Sequence, residues 1–192
     1  MTMRSVLAGM TACGISMAIT GCSDPVPPPA QGAVQLKVSS LPTAEIAEGE
    51  KNCNFPGIDF ALGTVNVTSR TSVTDGTNGT AVHCRVAPRG AGFDVSASID
   101  KGDDSFSVSG FVQSGQDTEG DVTLSLQQTS TLLGSKIKCT VSVARTDAAP
   151  SLAVGPGRVW AKVECTKLSV NGFSPPQYCR AAGVFVFESC EE

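Results

Sequence analysis

Apolar and polar residues alternate one for one over much of the chain from Ala33 onward. That period sends successive side chains to opposite faces of a β-strand. Ala33 to Ser39 predicts a first strand with Val34, Leu36 and Val38 inward. The strongest pattern runs from Phe93 to Val112. Phe93, Val95, Ala97 and Ile99 alternate with Asp94, Ser96, Ser98 and Asp100; Phe106, Val108, Gly110 and Val112 alternate with Ser105, Ser107 and Ser109. A two-residue turn at Gly102-Asp103 suits a II′ hairpin and sets Ile99 opposite Phe106, Ala97 opposite Val108, Val95 opposite Gly110 and Phe93 opposite Val112. A slip of one residue would invert both faces.

Further strands follow the same rule. Thr80 to Val86 places Val82, Cys84 and Val86 on one face and His83 and Arg85 on the other, after a turn at Asp75-Gly76-Thr77-Asn78-Gly79. Val122, Leu124 and Leu126 form one inward row; Ile137, Cys139, Val141 and Val143 form another. Asp147 to Gly157 is a loop, and Arg158 to Cys165 returns from it. Gly183 to Cys190 is apolar on both faces and reads as a central strand covered on both sides. Leu41 to Asn54, with Glu45, Glu48 and Glu50, is a solvated loop or a short helix. Gly, Ser, Thr and Val dominate and aromatic residues are few, a composition of short strands and turns. The expected fold is an all-β, antiparallel sandwich of eight to ten strands stapled by disulfides, with a closed β-barrel as the alternative.

The start of the chain has a different pattern. Arg4 precedes a weakly apolar run from Val6 to Ile19, too short and too broken by Gly, Ser and Thr to span a bilayer. Ile19-Thr20-Gly21-Cys22 follows, then the proline-rich Ser23-Asp24-Pro25-Val26-Pro27-Pro28-Pro29. The tetrapeptide resembles the lipobox of bacterial lipoproteins. The resemblance implies cleavage before Cys22, a diacylglycerol on its thiol and an acylated new amino terminus. Each buried methylene contributes about 0.8 kcal/mol, and two or more chains make a lasting anchor. Ser23 in place of Asp implies, by analogy with lipoprotein sorting, the outer membrane. The division expected is residues 1–21 as signal peptide, 22–32 as lipidated cysteine and tether, and 33–192 as one β domain. Ten extended residues of tether would reach roughly 30 Å.

Beyond Cys13 and Cys22, six cysteines remain: Cys53, Cys84, Cys139, Cys165, Cys179 and Cys190. An even number in an exported chain points to three disulfides. Zinc fits poorly, because no C-x-x-C pair occurs and the chain has one histidine. The preferred pairing is Cys53–Cys84, Cys139–Cys165 and Cys179–Cys190. The second rests on register: a loop centred on Leu152 sets Cys139 opposite Cys165 and Val141 opposite Val163.

Charge and candidate chemistry narrow the function. The leader's one charged residue is Arg4, so the remainder carries 13 basic and 18 acidic residues. That balance argues against nucleic acid as a partner. His83 would have to serve any nucleophile–histidine–acid set, but no G-x-S-x-G elbow occurs and His83 falls on the water-facing side. Asp100, Asp103 and Asp104 cluster without an EF-hand spacing, and Asp117, Glu119 and Asp121 do so more weakly; no metal and no cofactor is expected. Trp160 alternates outward with Lys162 and Glu164, as a surface contact or as an indole covered by a second layer. The function expected is a lipid-anchored cell-envelope lipoprotein with a non-enzymatic binding or structural β domain. Its partners would be membrane lipid through Cys22 and an envelope protein or polysaccharide. A carrier of a small apolar ligand in a barrel cavity is the alternative, and a hydrolase the third reading.

Overall fold

The structure, a computed structural model, describes residues 26–53, 57–65, 70–126, 131–143, 152–170 and 173–192. Eight long strands carry the fold: β1 (Gln31–Ser40), β7 (Thr80–Arg89), β8 (Gly92–Lys101), β9 (Asp104–Val112), β10 (Asp117–Leu126), β11 (Thr131–Ser142), β13 (Arg158–Val170) and β14 (Gln177–Glu188). Six short ones complete it: β2 (Lys51–Asn52), β3 (Ile58–Leu62), β4 (Thr64–Val65), β5 (Arg70–Thr71), β6 (Val73–Thr74) and β12 (Ala153–Gly155). A 3₁₀ turn, Thr43–Glu45, lies in the acidic stretch after β1.

The all-β, antiparallel, disulfide-stapled expectation holds. The two layers come from one sheet. Twelve strands join in the order β3-β1-β14-β13-β11-β10-β9-β8-β7, with β12 on β13, β2 on β14 and β6 on β1. This sheet curls into a half-barrel. β4 and β5 make a separate two-stranded sheet. The curl lets one continuous inner face bury its own alternating apolar row, so no second sheet is needed to cover it.

The hairpin of β8 and β9 has the expected register: Ile99 faces Phe106, Ala97 faces Val108, Val95 faces Gly110 and Phe93 faces Val112. Gly102 has a φ of 62° at its turn, as a II′ hairpin requires. Val34, Leu36 and Val38 are buried on β1, which starts at Gln31, two residues earlier than expected. β14 lies between β1 and β13 and is covered on both faces. Phe185 and Phe187 enter the main core, while Val186 enters a second cluster on the other side. Phe185 packs at 5.6 Å from Phe106 and 6.1 Å from Phe187 between ring centroids.

All six cysteines from Cys53 onward are bridged, and two of the three expected pairs are corrected. Cys139–Cys165 is present; β11 and β13 pair with Val141 opposite Val163, as the register argument requires. Cys53 is bonded to Cys179, not to Cys84, and Cys84 to Cys190, leaving no Cys179–Cys190 bond. The sheet order is the reason. β2 leads into Cys53 and pairs in parallel with the start of β14, close to Cys179. The chain beyond β14 crosses to β7, close to Cys84. Ile137 and Leu126, expected inward, have side chains outside the described set.

Candidate functional site

The outer face of β7, β8 and β9 is built by the same alternation that fills the core. Because Val82, Cys84, Val95, Ala97, Phe106 and Val108 turn inward, the residues between them must turn outward. Register aligns those into rows across the strands. His83 faces Ser98, which faces Ser107, which faces Thr123 of β10. Arg85 faces Ser96, which faces Ser109, which faces Asp121. Asp121 in turn pairs with Lys138 of β11 at 3.1 Å.

Pro27, Pro28 and Ala30 border this face together with Ser189 to Glu192; Gln31 pairs with Glu188, which sets Ala30 and Ser189 side by side. Together they make an open groove of about 970 Å³ over His83, Arg85, Ser96, Ser98, Ser107 and Ser109. Ser189 adopts a φ of 55°, which turns the chain out of β14 toward β7. There Glu191 becomes the parallel partner of Arg85. Pro27 and Pro28 are exposed but border this groove, just ahead of β1.

The groove offers hydroxyls that both donate and accept, the Arg85 guanidinium and the Glu191 and Glu192 carboxylates. That lining suits a polar, hydrogen-bonding chain. His83 is exposed, its cross-strand neighbour is Ser98, and among the described residues no carboxylate orients its imidazole. Among the described residues no group of three His, Cys, Asp or Glu is placed to hold a metal ion. Asp103 sits in the turn between β8 and β9, where its carbonyl accepts from Ser125 Oγ at 2.9 Å, and Asp104 pairs in register with Lys101.

A second, smaller groove of about 500 Å³ crosses the outer face of β10, β11, β13 and β14, lined by Asp117, Thr140, Ser142, Lys162, Glu164 and Val184. Glu164 is ion-paired with Arg180 at its edge.

Trp160 is corrected as a surface contact. It does project from the outer side of β13, but it is 3% exposed and packs with Ala33, Val65, Leu152 and Val186. β4 brings Val65 onto it and the chain entering β12 brings Leu152. Cys22, expected to carry the lipid, lies outside the described residues. Sequence reasoning reached the floor of the main groove through the serine alternation. It did not reach the borders, because Pro27 to Ala30 and Ser189 to Glu192 are far apart in sequence and no local pattern joins them.

Among the described residues no helix is long and apolar enough to cross a membrane. Neither a protein-family model, nor a curated protein, nor a solved structure gives a significant match to the chain.

Proposed function

We propose that this chain is a lipid-anchored lipoprotein of the cell envelope, held in the outer membrane through Cys22, whose β domain binds a partner or supports a structure and performs no catalysis. The observation that carries the reading is the use of sulfur. Every cysteine from Cys53 onward is engaged in one of three bridges. Such bridging belongs to oxidising compartments outside the cytosol. It separates Cys22, at the end of the leader, from the cysteines that stabilise the domain.

The serine-lined groove is the binding surface in this reading, and its lining favours an envelope polysaccharide or an extended polar peptide. The carrier reading is less well supported: Phe106, Phe185 and Phe187 fill the centre of the half-barrel, and both grooves lie on its outer face. Intact mass of the membrane-extracted protein, native and reduced, tests the proposal. The expected mass is that of residues 22–192 plus a diacylglyceryl group, with or without an N-acyl chain, rising by six hydrogen atoms on reduction. A Cys22→Ser variant that still sediments with membranes would overturn the anchor.

A further inference from the structure

The three bridges are not equally placed. Cys53, Cys139, Cys165 and Cys179 are each at most 2% exposed. Cys84, its side chain turned toward the core, is 9% exposed, whereas Cys190 is only half-buried at the border of the open groove. Thiol–disulfide exchange requires a thiolate to reach a sulfur, so access decides which bridge reacts. The Cys84–Cys190 bond also differs in what it holds. Cys190 sits in a four-residue strap, Ser189 to Glu192, at the chain end. Besides the disulfide, the strap is held by Cys190 N–H donating to the Gly157 carbonyl at 3.0 Å, Glu191 N–H to the Cys84 carbonyl at 3.0 Å, and Val86 N–H to the Glu191 carbonyl at 2.7 Å.

We propose that Cys84–Cys190 is a thiol-exchange site, opened selectively by a dithiol reductant, and that its reduction releases the C-terminal strap from the edge of β7. One thiolate of the dithiol attacks the more open sulfur, that of Cys190. A mixed disulfide forms and the Cys84 thiolate leaves. The second thiol of the reductant then attacks the mixed disulfide and expels Cys190. The dithiol is oxidised by two electrons to its own disulfide, and its two protons end on Cys84 and Cys190. The other two bridges stay closed and keep the half-barrel folded. Without its covalent tie, a strap held by three backbone hydrogen bonds frays. Fraying uncovers Val86 and Cys84 backbone groups that are otherwise paired.

The test is brief reduction of the native protein with dithiothreitol at neutral pH, trapping of free thiols with a maleimide, and peptide mass mapping. Cys84 and Cys190 should be labelled first, on the order of tenfold or more ahead of the other four. Hydrogen exchange at the Val86 amide should rise in the same partly reduced species, while Ile99 and Phe106 in the central hairpin stay protected. Labelling of Cys53, Cys179, Cys139 or Cys165 at a comparable rate would overturn the proposal, as would unchanged protection of Val86 after selective reduction. A Cys84→Ser/Cys190→Ser double variant supplies a second check. It should retain the hairpin's protection and show the raised Val86 exchange without any reductant; a fully protected Val86 there would also overturn it.

Discussion

Gly183 lies so close to Gln35 that a methyl group on its Cα would sit 2.0 Å from the Gln35 carbonyl oxygen. The same methyl would meet the Leu36 Cα at 2.8 Å. Gly183 pairs with Leu36 on one side and Val163 on the other, so β14 passes between two strands whose bulk already fills the space. The obstacle is backbone, and no rotamer change relieves it. Gly183→Ala should therefore destabilise the domain by about 1–3 kcal/mol or more. Urea unfolding should show a lower midpoint with an unchanged slope. A midpoint equal to that of the parent would mean that β14 does not run this close to β1.

Trp160 is the one tryptophan of the chain and reports on the second core. Packed under Leu152 and Val65, its emission should be blue-shifted from that of a solvated indole and poorly quenched by iodide. Trp160→Ala should cost about 3–5 kcal/mol, the range for losing a large buried ring. Emission typical of a water-exposed indole would remove the β4–β5 layer from this side of the sheet.

The central hairpin and the Cys139–Cys165 pair were legible because each depends on a local register. Alternation fixes the faces, a Gly-Asp turn fixes the offset, and Ile99 then has to meet Phe106. β14 was legible for a related reason: Val184 to Phe187 is apolar on both sides, and only a strand covered twice tolerates that. The other two bridges join residues 126 and 106 positions apart. Their partners are chosen by which strands become neighbours in the curled sheet, and no spacing encodes that. β3 shows a weaker signal that length obscured: Phe60 and Leu62 alternate inward over only five residues. Trp160 could be placed on its face and a covering layer expected, but not which residues supply it, because Val65 and Leu152 come from elsewhere in the chain. The floor of the groove was readable as serine rows, whereas its borders are tertiary.

The acidic stretch after β1 is pinned by one ion pair. Lys167 Nζ lies 2.7 Å and 2.6 Å from the two carboxylate oxygens of Glu50, and the Ala47 N–H donates to the same carboxylate at 3.0 Å. Lys167 also stands 4.7 Å from the centre of the Tyr178 ring. The hydrogen bond from Lys167, followed by that from Ala47, holds the Glu50 carboxyl below its ordinary value of 4.5. A carboxyl depressed in the folded state contributes stability above its unfolded value and loses it as pH falls through the folded one. Glu50 titration followed by carboxyl-carbon NMR should thus have a midpoint below 4.5, and Lys167→Met should move it upward. Amide exchange at Ala47 should rise as pH falls through that midpoint, after correction for intrinsic rates. A midpoint unmoved by Lys167→Met would mean that the pair does not form in solution.

β7 ends the sheet, and exposed strand edges recruit other chains. Here hydrogen bonds from neighbouring segments close much of that edge. The Thr80 carbonyl accepts from Gly76 N–H at 2.9 Å, and Val82 N–H donates to the Asp75 carboxylate at 2.9 Å. The Cys84 carbonyl and the Val86 N–H are taken by Glu191, and the Val86 carbonyl by Gly157 N–H at 3.2 Å. Pro88, next along the same edge, has no N–H to offer. The strap supplies two of these closures, so its removal should turn a protected edge into a template. A chain ending at Glu188 and carrying Cys84→Ser should self-associate with rising concentration in sedimentation velocity, while the parent remains monomeric under the same conditions. Asp75→Ala in that background should strengthen the association by freeing Val82 as well. A truncated chain that stays monomeric at every concentration reached by the parent would show that the curl of the sheet, and not the strap, keeps β7 from pairing.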